Sequence, residues 1–357
     1  MAWSDNIRGV RELVVLLTDV YLPPDTDAPP VGSAGQARYL AAETLPSGWR
    51  DWLALQLGRA DLVGWPVAAL VSAAQPSAHL GALPSTPPEF RSDVMLATPL
   101  HLVAGLDHVR LPADGLLRLS HQELESLASS FDATLGDQRG LTLRAVAGDA
   151  LLLTGLPLAD VVTEDPARWL GADLREALPR GAHANLVRAL AGEIELWLHD
   201  HPVNIVRARR GEASVSALWL WGGGPAPRVA TLTAGRARGK RDLRLEVLTG
   251  DPAAQALARL ARIDIAAAAP LSAASATAEA LLSSAAIRGI VVLALSDYGR
   301  RGLAAFERQW LDPARAALRY GKLDALRIMA NDRVASLMRF DALKFWRPSR
   351  HWLRALS

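Results

Sequence analysis

Two runs of apolar residues stand out from a chain that otherwise mixes apolar and polar positions. They are Glu12–Val20 (ELVVLLTDV) and Gly289–Leu295 (GIVVLAL). Runs this short predict strands buried on both faces, as in the parallel sheet of an α/β domain. A helical period is clearest over His183–Leu198, where Leu186, Val187, Leu190, Ile194, Trp197 and Leu198 form the predicted apolar face. Helices are also predicted over Gln36–Glu43, Gly48–Leu57, the Ala-rich Ala273–Ala286 and Leu303–Leu318. Another runs to Arg262 from Asp251 at the N-cap and Pro252 at the first helical position. Ser120 and Glu123 carry a capping-box spacing, so the glutamate reads as helix-start chemistry.

Shorter strands are predicted at Leu141–Val146 and Ala150–Thr154 around Gly148-Asp149, and at Leu243–Leu248. Leu326–Ala330 and Val334–Met338 flank Asn331-Asp332 as an edge hairpin, and Val94–Arg110 reads as strand, turn, strand. Phe345-Trp346-Arg347-Pro348 reads as a docked amphipathic tail. Pro/Gly-rich residues 22–35 and Pro/Ser/Ala-rich residues 75–88 interrupt the pattern, and the second marks a domain boundary.

Composition narrows the class. With 357 residues, 50% hydrophobic and 21% charged, the chain is globular and long enough for one to three domains. A net charge of +2 is too small to imply a polyanion. The basic run Arg236, Arg238, Lys240, Arg241 and Arg244 therefore reads as a solvated loop or a single phosphate contact, and no nucleic-acid partner is expected. The absence of cysteine excludes disulfides and thiolate metal sites. No stretch approaches the ~18 apolar residues of a membrane span, so no membrane partner is expected and the cytoplasm is the default compartment.

The candidate chemistry lies between Leu198 and Pro227. His201-Pro202-Val203-Asn204 follows a helix that Pro202 ends, and Arg207, Arg209 and Arg210 read as a basic loop. The strand Ser216–Trp221 then runs into Gly222-Gly223-Gly224, a backbone that turns sharply or approaches something closely. Arg and Asn side chains suit the binding of an oxyanion. Residue types alone favour a blander reading, a strand leaving through a Gly-rich turn beside a solvated basic face.

These segments, with Thr98-Pro99-Leu100-His101-Leu102 upstream, resemble the cofactor-independent phosphoglycerate mutases of the archaeal type, members of the alkaline phosphatase superfamily. They resemble still more closely the proteobacterial RpfE-type regulatory proteins. The resemblance runs from about Leu96 to Trp346. It implies an alkaline-phosphatase-like α/β core sheet, formed by residues 1–92 and 215–357, with an inserted α+β domain at 93–214. It also implies two divalent metals and a nucleophilic Ser or Thr, because paired metals clamp the attacking and leaving oxygens of a phosphoryl transfer.

Asp19 matches the metal-binding aspartate that ends the first strand in that family. The nucleophile segment has no counterpart: Thr26 and Ser33 offer hydroxyls, but neither has a following histidine. The later metal segments read Ser296-Asp297-Tyr298-Gly299-Arg300 and Ala330-Asn331-Asp332-Arg333, each keeping an aspartate and lacking the histidine. The expectation is a mutase-like protein that has lost two-metal catalysis and acts in regulation through a small phosphorylated or carboxylated ligand or a protein partner. Its anion site is placed at His101, His201, Asn204, Arg207, Trp221, Gly222, Gly223 and Gly224. No cofactor is expected, although Asp19, Asp297 and Asp332 leave room for a single weak manganese, magnesium or zinc site. The alternatives are an active metal-dependent mutase or phosphatase with altered ligands, and a purely structural role for the HPVN and WLWGGG segments.

Overall fold

The computed structural model describes residues 11–20, 36–40, 43–45, 47–75, 93–105, 108–137, 139–146, 150–156, 161–225, 243–263, 288–295, 302–344, 346 and 349–356. The predicted helix Ala273–Ala286, the Gly148-Asp149 turn and Asp297 lie outside them. In chain order the strands are β1 (Glu12–Leu17), β2 (Gln36–Ala37), β3 (Glu43–Thr44), β4 (Asp93–Leu100), β5 (Val103–Ala104), β6 (Val109–Arg110) and β7 (Thr142–Val146). They continue with β8 (Ala150–Leu156), β9 (Ala217–Pro225), β10 (Leu243–Val247), β11 (Arg288–Leu293), β12 (Ala325–Ala330), β13 (Arg333–Met338) and β14 (Arg350–His351). The α-helices are α1 (Gly48–Gln56), α2 (Val67–Ala73), α3 (His121–Phe131), α4 (Ala184–His199), α5 (Pro202–Arg209) and α6 (Pro252–Leu260). Three more follow: α7 (Gly302–Phe306), α8 (Asp312–Arg319) and α9 (Trp352–Leu356).

The chain divides into two compact units. The first comprises Met1–Val63, Gly235–Thr249 and Ala261–Ser357. Its sheet has the order β10-β11-β1-β12-β13-β3, with β10, β11, β1 and β12 parallel and the last two strands antiparallel. All six residues of β1 are buried, as expected of a central parallel strand covered on both faces. Leu13, Val15 and Leu17 pack in one cluster with Phe306, Trp310, Leu318, Trp352 and Leu356, so α7, α8 and α9 cover that face. The predicted helix over Leu303–Leu318 is present, with a π-helical stretch at Glu307–Leu311 inside it. The predicted hairpin turns through Asn331 at φ +50° and Asp332.

Residues 36–40 depart from expectation. Gln36–Ala37 is not helical but pairs antiparallel with Arg350–His351. That partner is more than three hundred residues away, and local propensity does not register it. Trp346 is 68% exposed, whereas the apolar residues that dock at the C-terminus belong to α9.

The second unit comprises Gly64–Ala234 and Gly250–Leu260. Its antiparallel sheet has the order β7-β8-β4-β9. One face carries Met95, Ala97, Leu143, Leu153, Leu218 and Leu220 against Leu127 and Phe131 of α3 and Val187, Leu190 and Ile194 of α4. α2 packs on β4 and β9 and against α6. The unit is therefore wider than the predicted insert at 93–214. β9 pairs along β4 from Ala217↔Leu100 to Pro225↔Asp93, which draws residues 217–225 into this sheet, and α2 and α6 join it by packing. No helix among the described residues is long and apolar enough to cross a membrane.

Candidate functional site

α4 ends at His199, and after a short link His201 opens α5. His201 has extended backbone angles, and its Nδ1 accepts the Val203 N–H at 3.2 Å, with Pro202 at the first helical position. A proline there loses no helical hydrogen bond, and a side-chain acceptor satisfies an orphan donor, which is why HPVN starts a helix. The segment expected to be a basic loop from Arg207 is thus helical through Arg209.

Asn204 is buried and uses all its polar atoms inside the protein. Its Nδ2 donates to the carbonyls of Leu198 and Val215, each at 2.8 Å, and its Oδ1 accepts the Val215 N–H at 2.7 Å. It ties the end of α4 to the backbone entering β9. Arg207, 6% exposed, donates from Nε to Ala213 O at 2.7 Å and from Nη1 to Glu123 Oε1 at 2.9 Å, with Glu212 at 3.4 Å. Glu123 in turn completes the predicted capping box, its Oε2 accepting from Ser120 N and Oγ. One carboxylate therefore starts α3 and holds α5 against it.

The other two segments converge on the same line of backbone. His101 Nδ1–H donates to Ser214 O at 3.0 Å, and the Leu102 N–H donates to Ser216 Oγ at 2.6 Å. Trp221 Nε1–H donates to Thr98 Oγ1 at 2.8 Å. His101, Asn204, Arg207 and Trp221 all engage residues that enter, form or flank β9, so the three motifs are brought together.

The glycines do not turn the chain away. They continue β9 past a bulge, where Leu96 pairs with Trp221 and Val94 with Gly224. Gly222 has φ +66°, and its N–H donates to Thr163 Oγ1 at 3.2 Å. A Cβ on Gly222 would lie 3.2 Å from the Val67 Cβ, and one on Gly224 would overlap the ring of Pro66. Gly223 lies between them in the bulge. The close approach expected of these glycines is made by the start of α2.

His201 is 3% exposed, and its ring meets Trp197 edge-on at 4.8 Å between centroids. With Nδ1 accepting, the ring proton sits on Nε2, which is buried without a partner among the described residues. Burial holds the imidazole pKa below its ordinary value near 6.5. For Glu123, burial pushes the pKa up. The bonds from Ser120 N, Ser120 Oγ and Arg207 outweigh that and leave it below the ordinary value near 4.5.

Both shifts remove stability in acid. The unfolded chain protonates a histidine near pH 6.5 while folded His201 resists, so stability falls as pH drops below about 6.5. Glu123 contributes stability above its unfolded pKa and loses it as pH falls below about 4.5 through the lower folded value. Urea unfolding from pH 8 to pH 3 is expected to show both declines, and His201→Asn to remove the first. A flat profile between pH 8 and pH 5 would contradict the assignment.

The metal candidates sit in the other unit. Asp19 follows β1, and its Oδ1 accepts the Leu295 N–H beyond β11 at 2.7 Å. Asp332 lies in the β12–β13 turn with the Asn331 amide at 3.4 Å and Arg333 Nε at 4.0 Å. Asp297 is outside the described residues. Among the described residues, no group of three or more His, Asp or Glu is arranged to hold a metal.

Sequence reasoning missed the links made by Glu123 and Glu307. Glu307, in the π-helical stretch, accepts from His351 Nε2–H at 2.6 Å and from Trp352 Nε1–H at 3.0 Å, and all three side chains are buried. His351 Nδ1 also accepts the Leu353 N–H at 3.2 Å. The capping-box spacing was the only signal for Glu123, and nothing local marks the pairing of Glu307 with His351.

No protein-family model matches the chain. It is 27% identical over 124 residues to a 2,3-bisphosphoglycerate-independent phosphoglycerate mutase of Methanosarcina barkeri, covering 34% of this chain and 31% of that one. It is 35% identical over 68 residues to the enzyme of the same description from Methanothrix thermoacetophila, covering 19% and 17%. The chain thus matches less than a third of the length of these relatives. Among solved structures it is similar to a cofactor-independent phosphoglycerate mutase from Thermoplasma acidophilum, at 17% identity and a TM-score of 0.39, covering 97% of this chain and 94% of that one. A protein of Pyrococcus horikoshii aligns at 12% identity and a TM-score of 0.40, covering 93% and 88%. The chain has weak, partial similarity to the cofactor-independent phosphoglycerate mutases.

Proposed function

We propose that this is a phosphoglycerate mutase-like protein of the RpfE-type regulatory branch, without two-metal catalysis, acting through a bound ligand or a protein partner. The observation that carries the reading is the placement of histidine. The unit that holds Asp19 and Asp332 contains one histidine, His351. Both its ring nitrogens are engaged, with Glu307 and with the Leu353 N–H, at 3% exposure.

A dinuclear site for phosphoryl transfer takes carboxylates and neutral imidazoles around each ion. Asp19, Asp297 and Asp332 supply carboxylates without imidazoles in the sequence, and Asp19 already caps the backbone beyond β11. This donor set does not fit two transition-metal ions. The HPVN and WLWGGG segments act as the pin of the second unit. Their retention beside the depleted carboxylate set is what a scaffold kept for a non-catalytic role requires.

Manganese titration by calorimetry tests the reading. At most one weak site is expected, weakened further by Asp19→Ala. Two tightly bound ions per chain would overturn the proposal in favour of an enzyme with altered metal ligands.

A further inference from the structure

Asn204 gives both its amide protons to backbone carbonyls, but the second unit has another place where guanidinium groups gather around open space. A groove of about 440 Å³ lies beside the 3-10 turns Pro166–Trp169 and Leu174–Ala177 and the early part of α4. Trp169, Leu178 and Pro179 give it apolar walls, and Arg175, Arg180 and Arg188 line it against a single lining carboxylate, Glu176. We propose that this groove binds a small organic molecule carrying a phosphate or carboxylate group. The proposal rests on the ligand-binding reading above and names the chemistry and place of that ligand.

The arginines are positioned by the fold. Arg180 is fixed at its backbone by reciprocal bonds with Val162, at 2.9 and 3.0 Å, and its Nη2 donates to Glu164 Oε1 at 3.2 Å. Glu164 also pairs with Arg168 at 3.4 Å, so one carboxylate serves two guanidinium groups. Arg175 has Asp173 Oδ2 at 3.9 Å. Arg188 is held by the neutral amide oxygen of Asn185, which orients its planar fork, and no carboxylate among the described residues pairs with it.

A fork of this kind recognises a phosphate or carboxylate through paired N–H donors. The indole of Trp169 lines the same groove, its buried Nε1–H having no acceptor among the described residues. The apolar walls fit the carbon skeleton that carries the anionic group, and the volume lies within the range of small-molecule sites.

Calorimetric titration of the full chain with inorganic phosphate and with citrate, at ionic strength held constant with chloride, tests the proposal. Saturable one-to-one binding of at least one probe is expected, and the tighter probe names the head group. Arg188→Glu, an exposed change on α4, is expected to weaken binding by about tenfold or more while the thermal midpoint stays within a degree or two of wild type. Absence of saturable binding for both probes, or equal affinity in Arg188→Glu, overturns the groove. Neither result bears on metal-dependent turnover, so failure of the groove and failure of the non-catalytic reading are distinguishable.

Discussion

Replacing Arg207 with alanine is expected to destabilise the protein by about 3 kcal/mol, read as a lower urea midpoint at pH 7. The guanidinium is 6% exposed and bonds Glu123 at 2.9 Å and Ala213 O at 2.7 Å. Its loss strands a largely buried carboxylate whose remaining oxygen is committed to Ser120. Arg207→Lys recovers only part of the effect, because one ammonium cannot replace a planar fork that spans both partners. The double variant Arg207→Ala with Glu123→Ala is expected to cost less than the sum of the single changes. An Arg207→Ala protein as stable as wild type, impaired only in ligand binding, would show that this arginine belongs to a site and not to a pin.

Asn204→Ala is expected to cost a similar amount, again about 3 kcal/mol, because it leaves Val215 O and Val215 N without their partner in a buried place and takes one donor from Leu198 O. Asn204→Asp separates the donor role from the acceptor role. It keeps an acceptor for Val215 N but turns an oxygen towards two carbonyls in place of the amide nitrogen. It is expected to be at least as damaging as alanine at neutral pH and to recover partly in acid, where the carboxyl can donate. Equal stability of the Asp and Asn proteins would contradict the assigned network.

Much of the first unit was legible because its strands announce themselves. Leu13–Leu17 and Ile290–Leu293 are apolar without interruption, and both form central parallel strands. The helix at 183–198 was also plain, but Leu186, assigned to its packed face, is 51% exposed. The buried positions are Val187, Leu190, Ile194 and Leu198, and Leu186 sits a quarter-turn outside that stripe. What escaped were pairings over long sequence distance: Gln36–Ala37 with Arg350–His351, and Glu307 with His351. The wider second unit was hidden for the same reason, since β9 pairs with β4, more than a hundred residues upstream.

Arg and Asn types suggested an anion site at the HPVN segment, and their spacing was compatible with one. The direction of their side chains is a tertiary property. Asn204 turns to Val215 and Arg207 to Glu123, partners that lie 11 and 84 residues away. The use to which the hydrogen bonds of these motifs are put became visible only in the fold.

The most direct test of the account is conversion of 3-phosphoglycerate to 2-phosphoglycerate by the folded, purified chain supplied with manganese. No turnover above the protein-free rate is expected, and Asp19→Ala should leave that result unchanged. Sustained turnover that is lost in Asp19→Ala would contradict the account, showing that a working metal centre is assembled around that aspartate.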